Sequence, residues 1–295
     1  MKCMNPYYKH SHDIFFPCGK CKFCQSIRRS NWVTRMILEA KDYKEITFLT
    51  LTYADEFLPT TEDGYPTLSG RDVTLFLKRF RKNLMIRRGI KIRYFYAAEY
   101  GSKFGRPHYH LIIYGIDYKL AKEIALLSWS LGFVKSYQAE EGSFYYVASY
   151  CSKQSDKQLH KSQMPEFFRS SIGLGRRIIN QVVDAVKSYG LRDVPLFVYH
   201  GKRKMYLTRY WVKKIREICF PPSHILQLTK ERICRYREFF KEQLNEKGLL
   251  RLWNKAKAWK SISVLYKKEC WRLLYKPGID NWLARQKLFA KKGIL

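Results

Sequence analysis

Two histidines separated by one residue lie near the middle of the chain, in the segment His108-Tyr109-His110. Residues two apart in a β-strand project from the same face, so a strand here presents both imidazoles together and turns Tyr109 toward the core. Glu99 ends the strand predicted before them and would lie across a hairpin from the histidines. Two imidazoles and one carboxylate, with positions left for water and substrate, favour Mn²⁺ or Mg²⁺ over a closed zinc site. Taken alone, the pair is equally well explained as two surface histidines.

Groups that could act on a phosphate flank this candidate metal site in the sequence. Arg106 and Lys103 stand in the loop before the histidines, where they would offer cationic donors to a phosphate. Tyr146 and Tyr150 share one face if their segment is helical, and a metal that polarises a phosphoryl oxygen makes attack by a phenol feasible. Lys153, one turn further, would stabilise the phenolate or the phosphate. Because the chain has 22 tyrosines, packing in the core is the alternative interpretation of the pair.

The N-terminal segment carries a second metal-binding pattern. Four of the eight cysteines fall within the first 24 residues: Cys3, Cys18, Cys21 and Cys24. The last three form C-x2-C-x2-C, whose spacing lets neighbouring thiolates reach one ion, and Cys3 would complete a tetrahedral Zn²⁺ site. His10 or His12 is an alternative fourth ligand. Iron–sulfur ligation and free thiols are the alternatives for the whole run.

The composition of the chain points to a polyanionic partner. Its 295 residues include 56 Lys and Arg against 25 Asp and Glu, a net charge of +31. Such a surplus repels itself unless phosphates neutralise it, so nucleic acid is the first expectation and an anionic membrane the second. The charge is densest after residue 200, where 25 basic residues meet seven acidic ones. A further basic surface, with either a solvated or a DNA-binding role, is expected on a helix at Lys78, Arg79 and Lys82.

The elements that must position these residues can be predicted from apolar periodicity. Strands are predicted at Ile46–Tyr53, Ile92–Glu99, His108–Tyr114 and Phe133–Tyr137. Helices are predicted from Asn31 to Ala40, from Ser69 onward, from Asp117 to about Leu131, from Phe144 to Lys153, and beyond Met205, with a turn at 140–142. The clearest helix begins at the capping pair Ser69 and Asp72, and its apolar stripe is Val73, Phe76, Leu77, Phe80 and Leu84.

The order of these elements predicts an α+β fold with a central antiparallel sheet, because strands and helices mix without steady βαβ alternation. Helices would flank the sheet, which carries the histidines. We expect three segments along the chain. Residues 1–30 form the cysteine-rich segment, residues 31–200 the domain with the candidate metal site, and residues 201–295 a basic helical extension that binds DNA.

Three segments occur in the order and approximate spacing of a known set of motifs. They are Phe48-Leu-Thr-Leu-Thr-Tyr53, Gly105-Arg-Pro-His-Tyr-His110 and Tyr146-Val-Ala-Ser-Tyr-Cys-Ser-Lys153. They resemble the motifs of HUH-type rolling-circle replication initiators. The chain is similar to the initiators of microviruses, which are small single-stranded DNA bacteriophages, and within them to the gokushovirus branch.

The resemblance implies a defined reaction on single-stranded origin DNA. His108, His110 and Glu99 would hold Mg²⁺ or Mn²⁺ while one tyrosine attacks the origin phosphodiester. That tyrosine would become joined to the 5′ phosphate and free a 3′ hydroxyl, which host DNA polymerase extends. The second tyrosine would cut the regenerated origin, and the released 3′ hydroxyl would reseal the displaced strand. Tyr146 and Tyr150 match these roles in an order that the motif leaves open.

Features missing from the sequence define the remaining expectations. No G-x-x-x-x-G-K-[ST] loop occurs, so strand separation is expected from a host helicase, from another partner or from supercoiling. The N-terminus lacks the apolar run of a signal peptide, and no uncharged stretch approaches the ~18–20 residues that span a bilayer. We therefore expect no membrane association and a location in the cytoplasm of an infected bacterium.

Two other functions fit the same residues. A non-catalytic protein could bind single strands by phosphate neutralisation and stacking. A plasmid initiator, relaxase or transposase could share the tyrosine chemistry. A covalent protein–DNA adduct separates the first of these from the enzymes.

Overall fold

The computed structural model describes residues 3–9, 11, 14–101, 104–151, 159–258, 267–268, 271 and 273–275. The chain divides into two compact units. The sheet unit is Ile27–Ile215, and the helical unit combines Met1–Ser26 with Arg216–Leu295. The sequence analysis treated residues 1–30 and 201–295 as separate segments, whereas the structure groups most of both in the helical unit.

The helices and strands are numbered here in chain order within the described residues. Strands β1 to β9 are Tyr7–Lys9, Ile14–Phe16, Ile46–Tyr53, Arg93–Tyr100, Pro107–Tyr114, Gly132–Gln138, Phe167–Ser170, Phe197–His200 and Arg203–Tyr206. Helices α1 to α8 are Lys22–Ala40, Gly70–Arg88, Tyr118–Ser128, Glu141–Ser149, Arg177–Ser188, Arg209–Cys219, Pro222–Glu246 and Leu250–Ala258.

A five-stranded antiparallel sheet in the order β6-β3-β5-β4-β7 forms the centre of the sheet unit, and helices flank it. The predicted α+β class is therefore confirmed. The predicted β4–β5 hairpin is present, with Glu99 directly opposite His108 and Ala97 opposite His110. The edge strand β7 was not predicted, because its four residues carry too little alternation to be recognised.

Alternation of side chains gives the sheet two chemically different faces. Leu49, Leu51 and Tyr109 point to the core face, where they pack with α2 and α3. All five α2 residues predicted as an apolar stripe are buried in this core. His108 and His110 alternate with Tyr109 along β5, so they point to the opposite face, which we call the histidine face.

A buried tyrosine pair ties the core face to the start of α2. Ser69 caps α2 as predicted, and its side chain accepts a hydrogen bond from the Asp72 backbone N–H. The Ser69 backbone N–H donates to the Tyr109 hydroxyl at 2.8 Å. The Tyr53 hydroxyl lies 3.0 Å from that of Tyr109 and donates to Asp72 at 2.9 Å. Burial raises the pKa of Tyr109 to about 12.

Several helix bounds differ from those predicted. Helix α1 begins at Lys22 and not at Asn31, because the cysteine-rich segment leads directly into it. Helix α3 ends at Ser128, short of Leu131, where the Trp129 indole N–H donates to a carbonyl of β3 at 3.0 Å. The predicted turn at 140–142 is instead the start of α4, since Glu140 and Ser143 form a capping box.

The C-terminal part is helical from Arg209 onward within the described residues, although the predicted start at Met205 falls in the β8–β9 hairpin. The helical unit has its own aromatic core, in which the Phe15 ring lies 4.9 Å from Trp271 and 5.8 Å from Phe240. No helix among the described residues is long and apolar enough to cross a bilayer.

Replacing Tyr109 by Phe should lower the free energy of unfolding by about 1–3 kcal/mol, because the buried Ser69 N–H loses its acceptor. Chemical denaturation measures this change. Tyr94→Phe is the matched control, since Tyr94 packs against the same core and its hydroxyl makes no hydrogen bond among the described residues. An equal loss in both variants would contradict the role given to the Tyr109 hydroxyl.

The same pair of variants gives a pH dependence. The raised pKa of Tyr109 contributes stability that is fully present below its unfolded pKa of ~10 and is lost as pH rises through about 12. We expect the wild type and Tyr94→Phe to lose stability together above pH ~10. Tyr109→Phe should lose less over that interval, as measured by urea denaturation at stepped pH.

Candidate active site

Strand β5 brings the two predicted histidines together on the histidine face. Their ring centroids are 6.2 Å apart, and the rings are nearly parallel. His110 is buried, and its Nε2 lies 2.9 Å from Oε1 of Glu99. Because Glu99 is directly opposite His108 on β4, the carboxylate lies beside both imidazoles. The three side chains predicted as metal ligands are therefore neighbours.

The other nitrogen of each ring is held by the protein. His108 Nδ1 lies 2.8 Å from the Arg106 carbonyl oxygen, to which an Nδ1–H donates. His110 Nδ1 lies 3.1 Å from the Thr50 hydroxyl. Such contacts orient ring ligands and fix their tautomers in metal sites. They leave Nε2 of His108 and Nε2 of His110 for the space beside Glu99.

The donor set fits a divalent ion with open coordination positions. It offers two nitrogens and a carboxylate, which Mn²⁺ and Mg²⁺ accept together with water. The four N-terminal cysteines are the one set of three or more ligating side chains in the described residues whose donor atoms all lie within 4.8 Å of one another. The His108, His110 and Glu99 donors are more widely spaced, which suits an ion that keeps several waters.

Both predicted tyrosines lie against His110. The Tyr150 ring stacks on the imidazole at 5.2 Å, and the Tyr146 ring meets it edge-on at 5.4 Å. The Tyr146 side chain is 47% exposed and that of Tyr150 is 7% exposed. Burial, a hydrogen bond with Tyr146 and the nearby Glu99 charge together raise the pKa of Tyr150 far above its usual value. One phenol thus faces solvent and the other lies next to the carboxylate.

Gly101 is a residue whose role the sequence analysis missed. A Cβ placed on Gly101 would lie 2.8 Å from Cε1 and 3.2 Å from Nδ1 of His108. Its backbone N–H donates to the Arg106 carbonyl, the same oxygen that holds His108. Only a glycine allows the loop to pass this close to the imidazole. The segment Glu99-Tyr-Gly101 was the available signal, because it places a glycine two residues after a candidate ligand.

The predicted cations of the site are placed as follows. Arg106 forms an ion pair with Asp55 and donates to the Tyr53 carbonyl at 2.9 Å, so it supports the loop that holds His108. Lys103 and Lys153 lie outside the described residues. The cation that the sequence analysis overlooked is Lys135, which is exposed on the histidine face.

The edge strand β6 adds an exposed row to the histidine face. Through β3, the register aligns Phe133 with His108 and Lys135 with His110, while Tyr137 lies opposite Phe48. Phe133 and Tyr137 are 65% and 54% exposed, although both are aromatic. The signal in the sequence was an alternating strand whose outward positions are aromatic and basic instead of uniformly polar.

The basic surface predicted on α2 lies on the other side of the sheet. Lys78, Arg79 and Lys82 are exposed, but the apolar stripe of α2 packs on the core face. Arg79 also donates to the Ser128 carbonyl at 2.8 Å, which joins α2 to the end of α3. A nucleotide at the histidines would therefore not contact these three side chains at the same time.

The predicted cysteine set is brought together within the helical unit. Cys3, Cys18, Cys21 and Cys24 are free thiols whose sulfurs all lie within 4.8 Å of one another. Burial raises the pKa of Cys3 to about 11. The pKa of Cys18 is lowered to about 6, because backbone N–H donors from Cys21 and Lys20 outweigh the effect of burial. The alternative ligands His10 and His12 lie outside the described residues.

Comparison with known proteins was made for the whole chain. The family model for replication-associated protein ORF2 matches residues 46–155, which include both histidines and both tyrosines. Replication-associated protein ORF2 of Spiroplasma virus 4 is 32% identical over 217 residues, covering 68% of this chain and 67% of the relative. Replication-associated protein ORF4 of Chlamydia phage 1 is 29% identical over 157 residues, covering 46% of this chain and 38% of the relative.

Among solved structures, the N-terminal nuclease domain of minute virus of mice non-structural protein 1 matches 54% of this chain and 83% of that domain. The identity is 11% and the TM-score is 0.22.

The fold and the site thus define an α+β protein in which two histidines, a glutamate and two tyrosines converge on one face of an antiparallel sheet. The extent of the match to the Spiroplasma virus relative shows the family. The chain belongs to the family of replication-associated protein ORF2.

Gly101→Ala should weaken Mn²⁺ binding about tenfold or more, the range found when a residue that orients a metal ligand is changed, because the added methyl displaces the His108 ring. Isothermal titration calorimetry measures the affinity. Gly142→Ala is the control, since a Cβ at Gly142, in α4, meets no atom within 4 Å. Unchanged Mn²⁺ affinity in Gly101→Ala would show that the loop does not position His108.

Proposed function

We propose that this protein is a metal-dependent endonuclease that nicks single-stranded origin DNA and thereby starts rolling-circle replication. The observation that carries the proposal is the contact of both Tyr146 and Tyr150 with His110, whose Nε2 also meets Glu99. A nucleophile pair and a candidate metal site are thus within reach of one phosphodiester.

His108, His110 and Glu99 are the residues that would hold Mg²⁺ or Mn²⁺. Such an ion supplies Lewis-acid polarisation of the scissile phosphoryl group. The backbone carbonyl of Arg106 and the Thr50 hydroxyl keep the imidazoles in place during the reaction. The Arg106–Asp55 pair and Gly101 hold the loop that carries this carbonyl.

The tyrosines would carry the bond exchange. A phenol oxygen attacks phosphorus and loses its proton, a Tyr–O–P bond forms, and the P–O3′ bond breaks. The released O3′ takes up a proton and becomes the 3′ hydroxyl, while the 5′ phosphate stays on the tyrosine. Attack by the free 3′ hydroxyl of another end reverses these steps and rejoins the strand. Two phenols on one imidazole provide for a second cut after one round of synthesis.

Single-stranded DNA would run over the histidine face. Phe133 and Tyr137 offer exposed rings on which bases stack, and Lys135 between them offers a charge to phosphate. The register puts Phe133 in line with His108 across β3, so a strand stacked on β6 continues toward the candidate metal site. The remaining charge of the chain would hold DNA outside the site.

The relatives support the biological setting of the proposal. They are named replication-associated proteins and come from viruses of Spiroplasma and Chlamydia. We therefore propose that the chain acts in an infected bacterium, where host polymerase extends the 3′ hydroxyl. Host helicase is the proposed source of strand separation, since the sequence has no phosphate-binding loop for an ATP-driven motor.

The nucleophiles can be tested with 3′-labelled oligonucleotides that tile the replicon encoding the chain, incubated with Mn²⁺. The wild type should acquire the label covalently, because the downstream fragment keeps its 5′ phosphate on tyrosine. Tyr146→Phe with Tyr150→Phe should reduce the adduct to background, and each single variant should keep at most one of the two cuts. Denaturing electrophoresis reads both products.

Tyr145→Phe is the control for this test, because Tyr145 adjoins the pair in the same helix. An adduct that persists in the double variant would exclude these nucleophiles. No adduct in the wild type, together with tight binding of the same oligonucleotides, would favour a non-catalytic binding protein. Full cleavage by His108→Ala or His110→Ala would contradict the metal assignment.

Replacing Phe133 and Tyr137 by Ala should weaken binding of a short single strand about tenfold or more, because stacking contributes about 1–3 kcal/mol per base. Fluorescence anisotropy measures the affinity. Met85→Ala is the control, since Met85 is also exposed but lies on α2, across the sheet. Equal affinities of the double variant and the control would exclude β6 from the DNA path.

A further inference from the structure

The four N-terminal cysteines have the geometry of a single-ion site. Sγ of Cys3 lies 3.9 Å from Sγ of Cys21, and Sγ of Cys18 lies 4.0 Å from Sγ of Cys24. A Zn–S distance of ~2.3 Å places the sulfurs of a tetrahedron about 3.8 Å apart. The two measured edges therefore match the size of a tetrahedral Zn–S₄ centre without rearrangement of the chain.

The backbone around the cysteines is arranged to stabilise negative sulfur. The N–H groups of Lys20 and Cys21 point to Cys18 Sγ at 3.4 and 3.3 Å. The N–H of Cys18 points to Cys3 Sγ at 3.3 Å. Gly19 has φ of +73°, which allows the tight turn that directs these groups inward. Donors of this kind around ligating atoms support a metal site from outside.

The chemistry of the donors selects the ion. Four thiolates favour zinc over Mg²⁺ and Mn²⁺, which prefer oxygen. Sulfurs this close to one another enclose one ion, whereas a multi-iron cluster needs a wider cage. Four protein ligands also leave no open position, so the site is structural and not catalytic.

The cysteine set is joined to the aromatic core of the helical unit. The Trp271 indole N–H donates to the Cys3 carbonyl at 3.1 Å, and its ring packs on Phe15 and Phe240. Cys3 is fully buried. An ion held by Cys3 and by residues 18–24 would therefore fix the N-terminal strand segment against a core built largely from α7 and α8.

We propose that Cys3, Cys18, Cys21 and Cys24 bind one structural Zn²⁺ that stabilises the helical unit and is separate from the His108, His110 and Glu99 site. This zinc closes the N-terminal segment and the C-terminal helices into one unit. It does not depend on the endonuclease function, because it involves none of the residues assigned to that reaction.

Zinc content of the full-length protein tests the proposal, measured by inductively coupled plasma mass spectrometry after dialysis against a weak chelator. We expect one zinc per chain in the wild type and in His108→Ala with His110→Ala. Cys21→Ser with Cys24→Ser should lose it. Cys234→Ser is the matched control, since Cys234 is an exposed thiol on α7 of the same unit and should retain the metal.

A second measurement uses the wild-type chain, so that misfolding of a variant cannot decide the outcome. Replacing the metal with Co²⁺ should give the thiolate charge-transfer band and the strong visible absorption of a tetrahedral sulfur site. Removing the metal should make proteolysis of residues 216–258 at least tenfold faster. A wild type without zinc and without the cobalt spectrum, or zinc lost with the histidines and retained in Cys21→Ser with Cys24→Ser, would overturn the proposal.

Discussion

The cross-strand register of β5 is the constraint on which the site depends. It places Thr52, His108 and Glu99 in one row across β3, β5 and β4, and it places Thr50 and His110 in the next row. Because side chains alternate with a period of two, a slip of one residue in β5 would turn both imidazoles into the core. The contacts of the tyrosines in α4 with His110 exist only in this register.

The residue between the two histidines holds that register. Tyr109 is fully buried, and its hydroxyl meets both Tyr53 of β3 and the backbone at the start of α2. An aliphatic side chain at this position would fill the core but would not specify where along β5 the helix begins. The polar network on one face of the sheet thus aligns the ligands on the other, and stability and chemistry share one strand.

Much of the site could be predicted from local sequence. The alternation in His108-Tyr109-His110, the cap at Ser69 and the four-residue spacing of Tyr146 and Tyr150 each depend on neighbours in the chain. What could not be predicted depends on contacts between distant segments. Sequence does not show that a glycine must pass beside an imidazole seven residues later, that the ends of the chain share a core, or that the α2 cations lie across the sheet from the histidines.

The edge strand β6 has a consequence for association between copies of the chain. In the described residues it pairs on one side only, with β3, so its other side has free backbone groups that a further strand could join. Exposed aromatic rings make such an edge prone to self-pairing. Lys135, at the middle of β6, opposes this because two copies paired side by side would bring like charges together. Solubility at high concentration therefore depends on a lysine that faces the same surface as the histidines.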